Sequence, residues 1–162
     1  MKVVSNSSPL IGLARVNQLL LLQQLYSELY LPAAVWNEVV LQGRGQPGAA
    51  AVQSATWIRQ STVKNAPLVL SLSQELGAGE AEAIVLAQEL PADLLIVDEL
   101  HAREKARRLG IRVTGVLGIL VEAKSRGLLP AVNPIIQDLR NIAGFHSSPQ
   151  LVKDVLRQAG ES

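Results

Sequence analysis

The chain has 162 residues, 48% of them hydrophobic, and 15 Lys and Arg against 14 Asp and Glu leave a net charge of +1. A chain of this length is most simply one domain burying about two-thirds of its unfolded surface, and its near-neutral balance leaves any nucleic-acid binding to a local patch. Having no cysteine, it excludes disulfides and thiolate-held zinc or iron–sulfur clusters. No apolar run approaches the ~20 residues that span a bilayer, and no signal peptide is visible, so the expected setting is the cytoplasm with no membrane contact.

Lys2–Ser5 reads as a short strand. Asn6, Ser7, Ser8 and Pro9 follow, and Leu10, Ile11, Leu13 and Ala14 continue at helical spacing, with Ser8 as the cap and Pro9 as the first helical residue. Asn6 therefore falls between a strand end and a helix start, where it is either a turn residue or part of a site. Residues 17–25 read as a helix capped by Asn17, and Glu28–Leu31 as a strand stopped by Pro32. The next helix spans 33–42 with Val35, Trp36, Val39 and Val40 on its apolar face. Glu38 lies on the flank of that face and, alone, is an ordinary solvated helix glutamate. A loop from Gly43 to Gly48 precedes a short helix over 49–55. Trp57–Val63 alternates like a strand, and Leu68–Leu72 is another short strand or an extended connection.

The stretch 77–99 organises the rest. Glycines at 77 and 79 open a helix, a turn follows Leu90, and Leu94–Val97 is a short apolar run suited to a strand buried on both faces. Asp98 and Glu99 then stand at the carboxyl end of that strand, where open α/β sheets bind their ligands. At about 100° per residue, Glu80 shares a stripe with Ala83, Ile84 and Ala87, while Glu82 points away with Glu89 into solvent. A carboxylate on a packed face is costly unless paired or bound to metal; alternatively Glu80 serves the helix N-terminus.

His101–Leu109 is a helix closed by Gly110, Ile111–Thr114 a strand, and Gly115–Arg126 a helix closed by Gly127. Helices near 134–142 and 149–159 form a tail. Strand–helix alternation up to about residue 126 predicts an α/β fold with a mainly parallel central sheet between helical layers, and a helical C-terminal appendage. Arg103, Lys105, Arg107, Arg108 and Arg112 cluster within ten residues. They form either a solvated helix surface or a phosphate contact, and with 3% aromatics base stacking is not the main grip on a single strand.

Other chemistries fit less well. There is no phosphate-binding G-x-x-x-x-G-K-[ST] loop, His101 and His146 are too far apart to suggest a zinc pair, and Ser7 and Ser8 lack a histidine for a triad. A receiver-like acidic pocket lacks its phosphoacceptor context.

The ordered set Asn6-Ser7-Ser8-Pro9-Leu10-Ile11, Trp36-Asn37-Glu38-Val39, Gly79-Glu80-Ala81-Glu82-Ala83-Ile84 and Ile96-Val97-Asp98-Glu99 with Arg103 resembles the PIN-domain family. It is most similar to the bacterial and archaeal proteins grouped with VapC-type toxin ribonucleases. The stretch Gly115–Leu120 and the following Ala-Lys-Ser-Arg-Gly fit the same group. The resemblance spans a core of about 2–127, with an appendage of about 128–162 in the same single domain. It implies a three-layer PIN-like fold and a metal-dependent ribonuclease, the toxin of a toxin–antitoxin pair. Carried over, the Mg2+ or Mn2+ ligands are Glu38, Glu80, Asp98 and Glu99, with Asn6 in the place of the family's first aspartate. Ser8 matches a hydroxyl neighbour, and Arg103 and Arg107 are placed to meet RNA phosphates. Asn6 is the departure: its amide is neutral and a poorer ligand for a hard cation. A second function therefore stays open, a catalytically impaired module acting by binding RNA or a protein. The partners implied are RNA, an antitoxin protein and a second copy of the chain. For the homodimer, Leu19–Leu22 together with Leu151, Val152, Val155 and Leu156 offer apolar surface, unless the tail folds back and covers it.

Overall fold

The structure is a computed structural model and describes residues 1–161. Its five short strands are β1 (Val3–Ser5), β2 (Leu29–Pro32), β3 (Ile58–Ser61), β4 (Leu94–Ile96) and β5 (Val113–Thr114). They form one sheet in the order β3-β2-β1-β4-β5, parallel at every pairing. Parallel neighbours need long crossovers, which cover both faces. Accordingly β1 (Val-Val-Ser) and β4 (Leu-Leu-Ile) are buried at every residue instead of alternating.

The chain moves outward from β1 through β2 to β3, then crosses back to β4. Such a reversal opens a crevice beyond the carboxyl ends of the two central strands. Ser5 pairs with Ile96, and the Asn6 N–H donates to the Ile96 carbonyl at 2.9 Å. Asn6 and Asp98 therefore leave the sheet side by side, as the sequence predicts.

Ten α-helices fill the connections among the described residues: α1 (Ser7–Arg15), α2 (Leu20–Tyr26), α3 (Ala33–Trp36), α4 (Pro47–Ser54), α5 (Ala66–Leu72), α6 (Ala78–Glu89), α7 (Leu100–Arg108), α8 (Val116–Ser125), α9 (Asn133–Asn141) and α10 (Pro149–Gln158). Right-handed crossovers put α1, α2 and α4 on one face and α5, α6 and α7 on the other. α6 lies on β1, β2 and β4, while α1 meets α4, α8 and α9. α6 comes close to the sheet because Ala81, Ala83 and Ala87 join Ile84, Val85 and Leu86 in the core.

The structure corrects several local expectations. α1 starts at Ser7 with Asn6 as its cap residue, not at Pro9 behind Ser8. Proline is tolerated throughout a first turn, whose N–H groups have no intrahelical partner. Asn17 is not a cap but sits at φ 59 in the left-handed turn before α2. Leu68–Leu72 is helical because the Asn65 side chain accepts from Leu68 N and Pro67 fixes the first turn. The helix expected over 33–42 breaks after Trp36 into a π-helical turn, Asn37–Leu41. Glu82 is not solvated: it is half-buried, and its Oε1 accepts from Ala34 N at 3.0 Å, capping α3. Of the four leucines 19–22, Leu20 alone is exposed, and α10 folds back against α8.

The tail is pinned by one carboxylate. Glu161 accepts from Lys124 Nζ at 2.9 Å, Val132 N at 2.7 Å and Asn133 N at 3.0 Å. These bonds, the Lys124 one foremost, pull its pKa from 4.5 to about 2. A depressed folded-state pKa gives stability that is complete above the unfolded value, so it is lost as pH falls from 4.5 toward about 2. Glu161→Gln is expected to cost about 1 kcal/mol at neutral pH, discounted for solvent screening, or about 3 °C in Tm. The difference from wild type should vanish near pH 2 in a thermal melt series.

Candidate active site

Where β1 ends, three consecutive polar residues are buried: Ser5, Asn6 and Ser7, with exposures of 0%, 5% and 5%. Burying such groups is costly unless they are used. The Ser5 hydroxyl donates to the Asn6 carbonyl at 2.9 Å. Ser7 Oγ donates to Glu38 Oε2 at 2.5 Å. The Asn6 side chain makes no bond to the first N–H groups of α1, although it occupies the capping position.

Glu38 is delivered by the π-helical turn after α3, a distortion that recurs at functional sites because it re-aims side chains. Its carboxylate lies over Gly79 at the start of α6. A Cβ on Gly79 would meet Glu38 Oε1 at 2.5 Å and Oε2 at 3.0 Å. Alanine is the better helix former by about 1 kcal/mol, yet Gly79→Ala must push the Glu38 carboxylate off Ser7, and the loss of that bond is expected to outweigh the gain, for a net cost of about 1 kcal/mol. A thermal melt checks the sign.

Glu80 follows, half-buried, with its Oε1 accepting from Gly77 N at 3.1 Å. It does serve the helix N-terminus. Burial raises its pKa, the Gly77 bond opposes this, and the charges of Glu99 and Glu38 add to the rise. Glu38 and Glu99 thus both lie within electrostatic reach of Glu80. Glu99 caps α7, accepting from His101 N at 3.0 Å and Ala102 N at 2.7 Å, so both of its oxygens are engaged.

Asp98 has different neighbours. Its Oδ1 accepts from Val116 N at 2.9 Å, the first residue of α8. Among the described residues its Oδ2 is buried with no hydrogen-bond partner. Burial raises the pKa of Asp98, opposed by the Val116 bond and by Arg103. Gly115 leaves the room: a Cβ there would collide with Asp98 Oδ1 and lie 2.8 Å from Arg103 Nη1. Arg103 Nη1 donates to the Val97 carbonyl at 3.2 Å. Arg103, Arg107 and the exposed Ser8 line one cleft of about 830 Å3 with Asp98 and Glu99. The structure therefore groups Glu38, Glu80 and Glu99, and separately Asp98, Arg103 and Arg107. Among the described residues, no three acidic or histidine side chains close on one point able to hold a metal.

Ser7, not Ser8, is the hydroxyl that touches a carboxylate. With α1 beginning two residues before Pro9, Ser7 is buried in its first turn and Ser8 is exposed.

A family model described as PIN domain matches residues 2–161. The chain belongs to the PIN-domain family. No curated protein matches it. Among solved structures it is similar to a PilT N-terminus domain protein from the hyperthermophilic archaeon Sulfolobus solfataricus P2, with a TM-score of 0.54 and 20% identity, covering 76% of this chain and 93% of that one. That likeness shows a shared fold. PIN domains are commonly nucleases and typically use divalent metals.

The residues of this PIN domain fit such an ion in a particular way. Its donors are all oxygens, as hard cations require, and the buried, unpartnered Asp98 Oδ2 is an uncompensated acceptor that a cation would satisfy. With no three acidic or histidine side chains around one point among the described residues, one or two carboxylates would hold such an ion in hydrated form. Mg2+ is commonly bound that way.

Proposed function

We propose that this PIN domain is a metal-dependent ribonuclease that hydrolyses RNA phosphodiester bonds with Mg2+ or Mn2+. The observation that supports this best is the unpartnered Oδ2 of Asp98 at the end of the central strand β4. A divalent ion bound there would lower the pKa of its water and neutralise charge developing on the scissile phosphate. Asp98 offers that oxygen while its other one is anchored on Val116 N. Glu38, braced by Ser7, keeps the opposite wall of the crevice anionic. Glu80, with its pKa raised by burial and by Glu99 and Glu38, holds a proton more readily than an ordinary glutamate, which suits it to take one from the attacking water at its carboxylate. Asn6 presents an amide oxygen at the strand end. Arg103 and Arg107 take the phosphates, with Ser8 at the rim. The test is incubation of mixed-sequence single-stranded RNA with millimolar Mn2+ and, in parallel, with EDTA. Cleavage is expected only with the ion, and intact RNA at every Mn2+ concentration refutes the proposal.

A second reading, a catalytically silent module that binds RNA or protein, is favoured by the neutral Asn6 and by the lack of a three-carboxylate cage. In the toxin form of the first reading the protein acts in the cytoplasm and is restrained by an antitoxin. The homodimer belongs to the same proposal, supported by Leu20 and Leu151 at 62% and 47% exposure, on helices that both pack against α8. Light scattering should then give twice the chain mass of 17.4 kDa; the single-chain mass at micromolar concentration contradicts the dimer.

A further inference from the structure

The cleft that begins at Asp98 does not end with the arginines. The link between α9 and α10 lines it too, through Phe145, His146, Ser147 and Ser148, together with Arg103 and Arg107. At about 830 Å3 it falls in the range of clefts that enclose small-molecule-sized ligands.

The two groups differ in chemistry. Arg103 and Arg107 are one turn apart on α7, neighbours on one helix face. Lys105, on another face of α7, is neutralised by Glu75 at 2.6 Å, whereas among the described residues no carboxylate lies in ion-pair range of either arginine. Arg103 feels the Asp98 carboxylate without an ion pair, so two adjacent guanidinium groups still suit a further anion, and the phosphates of one strand supply it. Asp154 on the same cleft is engaged by Gln150 at 3.0 Å.

The link between α9 and α10 brings an aromatic side chain. The chain has two Trp, two Tyr and one Phe, and of these Phe145 alone lines the cleft. It is fixed: its N–H donates to the Leu139 carbonyl at 2.9 Å, and its ring packs against the core. Gly144 at φ +69 makes the turn before it, and Ser148 Oγ accepts from Leu151 N at 3.1 Å to start α10. His146, exposed beside it, adds a second flat ring whose nitrogens can bond a base edge.

We infer that Phe145 and His146 hold one unpaired nucleobase of single-stranded RNA, next to the backbone phosphates bound by Arg103 and Arg107. The C-terminal appendage is thereby a wall of the substrate groove and a determinant of which strand is accepted. This rests on RNA being the substrate, but not on cleavage. Stacking of a single base on a local pair of rings is compatible with an aromatic-poor chain, because the arginines supply the rest of the grip.

The test is fluorescence anisotropy with a labelled single-stranded RNA octamer in EDTA, where no metal-dependent cleavage intervenes, against an octamer of the same backbone lacking bases. Wild type should bind the base-bearing strand about five-fold or more tightly than the abasic one, the scale of one stacked base. His146→Ala should erase most of that preference and leave the slope of log Kd against log salt unchanged. Phe145→Leu, which keeps the apolar contact with the core, should act likewise, and if it does not fold the exposed His146 variant decides. Arg107→Ala should weaken both strands and lower the salt slope by about 0.7. Equal binding of the two strands by wild type, an unchanged preference in His146→Ala, or no RNA binding at all overturns the inference. A retained preference without cleavage in Mn2+ overturns the ribonuclease and leaves the base-binding wall intact.

Discussion

Asp98→Asn is expected to abolish metal-dependent RNA cleavage and, in the same protein, to raise the melting temperature of the metal-free form. The two effects share one cause. In the Asp98 carboxylate one oxygen bonds Val116 N and the other, among the described residues, is buried without a partner. A charge kept that way weakens the apo fold, and burial accordingly raises its pKa above the ordinary 3.8. A carboxylate with a raised folded-state pKa adds stability that is complete below 3.8 and is lost as pH rises through the raised value. Wild type should therefore become more stable on acidification through that window, and Asp98→Asn should lack this component. At neutral pH the amide removes the buried charge and retains an acceptor for Val116 N. The expected gain is about 1 kcal/mol, or about 3 °C in Tm. Cleavage should fall at least ~100-fold, the scale of losing one electrostatic group at a reacting phosphate, and any Mn2+-induced rise in Tm should disappear.

Asn6→Asp is expected to act in the opposite direction on every readout. Asn6 lies at the end of β1, 5% exposed and bonded through its backbone to Ile96, two residues before Asp98. The substitution is nearly isosteric and adds one negative charge to the crevice. The capping position of α1 offsets part of the cost, since an anion at a helix N-terminus gains about 0.3–1 kcal/mol. Burying a charge with little hydrogen bonding costs more, about 1–3 kcal/mol, so the apo protein should melt about 3–6 °C lower. With Mn2+ the added carboxylate becomes a ligand, and the shift on adding the ion should exceed that of wild type. RNA cleavage should rise about ten-fold or more, one pKa-unit's worth of added stabilisation. If neither the melts nor cleavage change, Asn6 is a turn residue and no ligand.

The sheet is legible in the sequence because each central strand is buried on both faces, so that Val3–Ser5 and Leu94–Ile96 stand out as apolar runs with polar residues at their ends. The switch point follows from that, and with it the pairing of Asn6 with Asp98. What escapes is set by distance or by small changes of register. The π-helical turn that aims Glu38 spans five residues, too few for its periodicity to differ visibly from an α-helix. Glu82 reads as solvated because its partner, Ala34 N, is 48 positions away. Ser7 rather than Ser8 meets Glu38 because α1 starts two residues earlier than the proline suggests. Leu68–Leu72 reads as extended because its apolar run is short, although Asn65 and Pro67 mark a helix start. Phe145 and His146 give no local sign of a site; they line the same cleft as Asp98 only with α10 folded back on α8.

The most direct measurement follows a 5′-labelled single-stranded RNA over a Mn2+ titration with wild type, Asp98→Asn and Asn6→Asp side by side. Cleavage that rises with Mn2+ in wild type, is lost in Asp98→Asn and is enhanced in Asn6→Asp is the predicted result. Intact RNA with both wild type and Asn6→Asp, or equal cleavage by Asp98→Asn and wild type, would contradict a metal-dependent ribonuclease centred on Asp98.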